Sequence, residues 1–535
     1  MRISFSIAFR LMSLALAFTA SSLWAQAPSA SSSGYRIAGR VVDAVTGEPV
    51  SRATLTVLSE DYKVIASAAT DAEGRFSFEH IAAGKYPLSA AKRGYRTSYY
   101  DEHDNFNSAI VTGDGQDTGN LLFRLPASAV LRGVVTADGG DPVENAQVML
   151  FRKPTDGENN GHMQQRGGVQ TDDTGAYEFN DLTPGEYYIA VKGEPWYAQH
   201  GDHFHPRTTE PSPLDVAYPI TYFDSTIDEN AASPITLSWG AREQADINLH
   251  AVPAVVFRIP VARPGPQITL QQKVFGNLVN QQAIGLGDGP VSGALDIPGF
   301  APGNYEIELG NPPRRMTVDA ASEVDLDLNS GMPLLSVEGT LVMAGGEPIP
   351  DDISVVLTSD DGGVPVQTDM RKGKFEANAV SPGTWSIAAG SPRQPLAVVA
   401  TSTGGAATAG NKIVVRDRPA QVTVVLGGAQ TRVQGFAKRD GKGVSGAMIM
   451  LVPVERSAYP VLARRDQSDS DGSFSLNDVP AGKYTVVAID DGWNLEWQRR
   501  EVIEPYLHNG APVTITGQSA PVINLSQPVP VATAQ

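Results

Sequence analysis

The residues best suited to chemistry in this 535-residue chain are His200-Gly-Asp202-His203-Phe-His205, three imidazoles and a carboxylate within six positions. Alternate residues of an extended segment share a face, so two imidazoles and a carboxylate could meet one divalent ion there. No second cluster completes a tetrahedron, and a solvated loop tip explains the same residues. Asp469, Asp471, Gly472 and Asp478 have the spacing of a calcium loop, but Gln467 occupies the first ligand position. A tight turn accounts for them without an ion, and no cofactor is expected.

A second kind of chemistry needs only surface. Flat apolar rings with polar neighbours suit the faces and edges of sugars. The candidate platforms are Trp196 with Tyr197 beside the histidine-rich stretch, Tyr99 with Tyr100, and Trp493 with Trp497. Each pair lies outside the recurring strand pattern described next, which favours exposure. Packing under a loop is the competing explanation for each.

These residues are held by a repeat. Asp71-Ala-Glu-Gly74-Arg-Phe76-Ser-Phe78 leads to Gly84-Lys-Tyr86, and Asp172-Asp-Thr-Gly175-Ala-Tyr177-Glu-Phe179 leads to Gly185-Glu-Tyr187. Weaker copies start at Gly293, leading to Gly303-Asn-Tyr305, and at Gly373, leading to Gly383-Thr-Trp385. The fifth runs from Asp469-Ser-Asp-Gly472-Ser-Phe474 to Gly482-Lys-Tyr484. In each, a turn Asp or its substitute precedes a Gly that supplies positive φ, and an alternating strand follows. Residues two apart, such as Phe76 and Phe78, then face one side. The tyrosine after the second turn is expected to pack inward with its hydroxyl at the edge. An upstream strand also recurs around Gly39, Gly133, Gly339 and Gly435.

Short alternating strands with regular turns and no helical period predict an all-β chain. The expected architecture is a tandem array of about five Greek-key-type, seven-stranded β-sandwich domains. They are expected at 34–126, 127–252 with an inserted loop at 195–234, 253–331 in degenerate form, 332–429 and 430–528, with a tail at 529–535. The 53 glycines and 38 prolines fit many turns.

The run Gly39-Arg-Val-Val-Asp43-Ala-Val-Thr-Gly47-Glu-Pro49-Val50, with Thr70-Asp71-Ala-Glu-Gly74-Arg-Phe76 and Gly84-Lys-Tyr86, resembles a carboxypeptidase regulatory-like domain. The resemblance implies a transthyretin-like sandwich, grouped with carbohydrate-binding-like folds, in an exported bacterial repeat protein. The first, second and fifth units carry it best. It implies no peptidase activity here: none of the eight histidines is followed three residues later by Glu, and neither His-Glu-x-x-His nor Gly-x-Ser-x-Gly occurs. No catalytic residues are expected.

Residues 1–25 read as a secretory signal, with Arg2 and Arg10, an apolar stretch from Leu11 to Phe18, and cleavage after Ala25. The expected address is therefore exported: periplasmic, cell-surface or extracellular. After signal removal no stretch is long and apolar enough to span a membrane. The chain has no cysteine, so neither disulfides nor a lipidated cysteine can hold it. Its formal charge of −18 argues against nucleic acid and anionic lipid. The expected partner is a polysaccharide, or alternatively another envelope protein bound by an adhesive or spacing scaffold.

Overall fold

The computed structural model describes residues 34–154, 163–200, 212–260, 267–285, 294–310, 313–327, 330–360, 365–405, 408–428, 431–516 and 521–534. The segment 1–25 lies outside them. The chain is almost wholly β, with a single four-residue α-helix, Arg500–Ile503, among the described residues. Five β-sandwich modules follow one another, each closed around its own apolar core.

Every module begins the same way. Its first strand pairs antiparallel with the strand after the repeated turn and parallel with the module's last strand. In the first module Tyr35–Asp43 lies between Arg75–Ile81 and Leu121–Leu125. In the fourth, Leu335–Met343 lies between Lys374–Val380 and Ala420–Gly428. The parallel pair requires the chain to cross to the facing sheet and return, which is the Greek-key element of the sandwich.

The pairing register explains the upstream glycines. Gly39 faces Phe76, Gly133 faces Tyr177, Gly339 faces Phe375 and Gly435 faces Phe474. A Cβ on Gly39 or Gly133 would collide with the carbonyl of Leu121, in the last strand, or of Ala245, between the two short closing strands. On Gly339 it would strike the Phe375 ring, and on Gly435 it would come within 2.8 Å of the Phe474 ring. In the third module the corresponding pair is Ile259 opposite Leu295. The third module thus lacks both the ring and the glycine, in keeping with the loss of most of the upstream pattern there.

A second shared device sits four residues beyond each facing residue. His80, Asp181, Gly299, Ala379 and Asp478 all have positive φ, between 54° and 91°, at the point where the register of the first strand slips. These are bulges that bend the strand at one place in all five modules. The inward ring of the next strand then closes the edge. Tyr187, Tyr305 and Tyr484 each donate their hydroxyl to the carbonyl four residues back, at 2.7 to 3.0 Å, and the Trp385 ring nitrogen does the same at 2.9 Å. Burial pushes the Tyr484 hydroxyl up to about 12, so it remains a donor at neutral pH.

Two expectations need correction. The terminal segment is not a tail: Val529–Thr533 is a strand that pairs parallel with Ala488–Asp490 and Ala437–Lys438, and Val529 is fully buried. The apolar alternation of Val529 and Val531 was masked by Pro528 and Pro530. Nor is 195–234 wholly a loop, because Thr221–Tyr222 pairs with Ala190–Val191 and Val216–Ala217 pairs with Val252–Pro253.

Two predictions follow from this geometry. Gly133→Ala is expected to destabilise its module by about 1–3 kcal/mol, since neither the Ala245 carbonyl nor the Tyr177 ring can retreat freely; an unchanged unfolding transition in urea would contradict the packing account. Tyr484→Phe, which strands the Pro480 carbonyl, should cost about 1 kcal/mol in the same measurement.

Candidate ligand-binding cleft and the clasp between the end modules

The turn Pro195–Ala198 projects from the second module. Pro195 is buried and anchors it, and the Ala198 amide closes it on the Pro195 carbonyl at 3.0 Å. The chain beyond is pinned by Gln199 N to Leu214 O at 2.8 Å and by His200 Nδ1 to Asp215 Oδ1 at 3.0 Å. With both sides fixed, Trp196 stands 85 % exposed, its ring edge-on to Tyr197 at 5.7 Å.

Trp196 and Tyr197 form one wall of a cleft of about 760 Å³. Its other walls carry Asp138, Asp141, Glu144, Asn145, Gln147, Gln170 and Asp173, with Tyr218 and Lys192 in the lining. A smaller hollow of about 280 Å³ shares Lys192, Glu194, His200 and Tyr218 and runs against Gln272 and Gly299 of the third module. Gly299 lets the His200 ring approach, since a Cβ there would lie 2.9 Å from the imidazole. Below, the two modules share an apolar seam of Phe151, Tyr222 and Phe275, with Phe275 N on Glu229 Oε2 at 2.6 Å.

The electrostatics of the cleft are one-sided. Asp138 accepts from His250 Nδ1 at 2.5 Å, and this bond holds its carboxyl below the usual range. Burial pushes the Tyr218 hydroxyl up to about 12, with Tyr197, Asp138 and Asp141 adding to the effect. Burial lowers the Lys192 ammonium, against Glu194. The volume, the exposed indole and the converging amides and carboxylates suit a polar ligand with flat apolar faces.

The other aromatic candidates are differently placed. Tyr100 packs on Phe123 at 6.0 Å as part of the first core, and Tyr99 meets Tyr62 edge-on at 6.1 Å. Trp493 and Trp497 lie where the fifth module meets the first. His103 stacks on Trp493 at 5.2 Å and 7°, the Trp493 ring nitrogen donates to Gly446 O, and the Arg465 guanidinium sits 4.1 Å over Trp497. These rings are therefore engaged by the protein itself.

That contact is a polar clasp between the ends of the described chain. Asp469 Oδ1 accepts from Ala109 N at 2.9 Å, and its Oδ2 is bound by Lys85 Nζ at 2.6 Å. Ser470 and Ser468 bond the strand Ile110–Thr112 and Ser108, and Gln467 reaches His103, Ser108 and the Asp101 carbonyl. In the first two modules the same turn Asp caps its own loop: Asp71 Oδ1 takes Glu73 N and Arg75 N, and Asp172 Oδ1 takes Thr174 N and Ala176 N. In the fifth that role passes to Asp471, which takes Ser473 N at 2.9 Å, and Asp469 is released to grip the first module. Asp469 and Asp471 thus belong to a turn and Asp478 to the bulge of the strand that follows, and the Asp469 carboxylate is bound by the Lys85 ammonium.

Of the histidine-rich group, only His200 is described, paired with Asp215; Asp202, His203 and His205 lie outside the described residues. No cluster of three metal-ligating side chains occurs among the described residues. Sequence reading singled out Trp196 and Tyr197 but not the carboxylates that line the same cleft. Asp138, Asp141 and Glu144 stand in a loop some fifty residues earlier, and only the fold brings them opposite the indole.

Two segments, 36–125 and 130–219, match the carboxypeptidase regulatory-like domain family, so the chain carries two such domains. A curated relative, Colossin-A of Dictyostelium discoideum, is 22% identical over 494 residues; the match takes in 79% of this chain and spans only 4% of that protein. Among solved structures, the Bacillus anthracis TIE protein aligns at 12% identity over 70% of this chain and 68% of its own, with a TM-score of 0.16. BcpA, the major pilin subunit of Bacillus cereus, aligns at 12% identity over 76% of this chain and 99% of its own, with a TM-score of 0.15. Scores this low say nothing about function.

The clasp is expected to respond to charge and pH. Lys85→Ala should open it, because a desolvated Asp469 is left without its cation. Small-angle scattering should then show a larger radius of gyration, while Lys63→Ala, which breaks an exposed pair, should leave it unchanged. Asp466 keeps part of its surface in solvent, yet burial of its carboxyl, with Asp469 adding, pushes it up to about 7. Asp469 is raised for the same reason. A folded value above the unfolded one means that the Asp466 contribution is complete below about pH 4 and is lost as pH rises through about 7. Thermal stability should fall across that window, and the fall should flatten in Asp466→Asn.

Proposed function

We propose that this chain, which carries two carboxypeptidase regulatory-like domains, is an exported, non-catalytic binding protein that takes a carbohydrate in the cleft beside Trp196. The observation that carries the reading is the pairing of an 85 % exposed indole with a cleft of about 760 Å³ lined by amides and carboxylates. A side chain of that size is held in water only at a cost that burial elsewhere would avoid. The turn at Pro195 fixes it, so the exposure is built rather than incidental. A sugar ring would lie on the indole while Asn145, Gln147 and Gln170 meet its hydroxyl groups.

A second reading has one observation in its favour. The strand Val64–Ala69 is a sheet edge in the first module, and Tyr62, Val64 and Ile65 around it are more than half exposed. Such an edge could accept a strand from another envelope protein. An extended spacer is harder to support, since the first and fifth modules meet. No helix among the described residues is long and apolar enough to cross a membrane.

Retention on insoluble polysaccharides tests the first reading. The full chain should bind at least one glycan, and Trp196→Ala should weaken binding about tenfold, worth about 1.4 kcal/mol. Trp493→Ala should leave the glycan affinity intact. Absence of retention on every glycan would shift the weight to a protein partner.

A further inference from the structure

The walls facing Trp196 are charged in one sense. Asp138, Asp141, Glu144, Asp173 and Glu194 line the cleft, and Lys192 is the single lysine or arginine among its described lining residues. Among the described residues no ion pair joins Asp138, Asp141, Glu144 or Asp173 to a lysine or arginine; Asp138 is held by His250, and Glu194 acts on Lys192. An indole face beside carboxylates is also the arrangement that attracts an organic ammonium, through the ring's quadrupole and the surrounding charge. A neutral sugar would gain nothing from the carboxylates beyond hydrogen bonds, and a uronic acid would be repelled by them and by the −18 formal charge of the chain.

We infer that the cleft selects a cationic saccharide, a glucosamine-type glycan with free amino groups, whose pyranose ring lies on Trp196 while its ammonium faces Asp141 and Glu144. The inference rests on the carbohydrate reading of the cleft and adds the sign of the ligand's charge. Two separated demands set the specificity. The indole requires a flat apolar ring face, which a lysine side chain does not offer. The carboxylates require a positive charge, which an N-acetylated sugar does not offer. Asp138 stays ionised in mildly acidic solution because its bond to His250 holds its carboxyl low, so the field persists where the amino groups are charged.

The experiment is calorimetric titration of the full chain near pH 6 with three probes: a glucosamine pentamer, its fully N-acetylated counterpart and a lysine pentamer. The glucosamine pentamer should bind at least about tenfold tighter than either of the others, and its affinity should fall as salt rises. Asp141→Asn with Glu144→Gln, both exposed and free of packing roles, should bring the two saccharides to near parity. Trp196→Ala should weaken both. Equal binding of the two saccharides by the unaltered chain would overturn the charge selection while leaving the carbohydrate reading in place. Equal binding of the lysine pentamer would show that charge alone is read, which overturns the inference. Binding of no probe would overturn the inference, and the polysaccharide retention assay then decides the fate of the broader reading.

Discussion

The module depends on how closely its first strand can approach its neighbours. In four modules an aromatic ring from the turn strand lies directly across from that strand, and the module's closing strand runs parallel beside it. A Cβ would strike a backbone carbonyl of the closing segment at Gly39 and Gly133 and the facing ring at Gly339 and Gly435, so these four positions are fixed by sterics. The third module shows the same rule from the other side, because Leu295 replaces the ring and Ile259 replaces the glycine. With no disulfide to staple the sandwich, this contact and the buried tyrosines of the adjoining strand do the work of closing the core.

The same repeat shows how a structural residue becomes an interface. A turn needs its Asp to satisfy backbone amides, as Asp71 and Asp172 do. In the fifth module a second acidic residue, Asp471, covers that need, so Asp469 can turn outward to Lys85 and the Ala109 amide. The surrounding serines and Gln467 satisfy the remaining polar groups, which is what makes burial of a charge there tolerable. The clasp sets the distance between the first and fifth modules, and it occupies Trp493 and Trp497.

Much of the fold was legible because turns and facing residues are local. The ten-residue spacing from Gly74 to Gly84 encodes turn, strand and turn, and the alternation of Phe76 and Phe78 encodes the buried face. The five bulges were not read, although His80, Asp181, Gly299 and Asp478 are residue types that tolerate positive φ. The last strand, Val529–Thr533, was hidden because its prolines look like a terminus until a parallel partner is known. Among the aromatic pairs, composition could not separate Trp196 from Trp493. Both are indoles outside the strand pattern.

The sequence by itself determined the all-β class, the repeat, the turn chemistry and the absence of any stapling cysteine, since each follows from residue type and short spacing. Tertiary structure alone decided which rings face water. Trp493 is engaged because His103 of the first module lies across from it, while Trp196, held out by its pinned turn, shares a cleft with the loop at Asp138–Glu144. Those partners are separated by some fifty and nearly four hundred residues, and no local pattern of side chains carries a distance of that length.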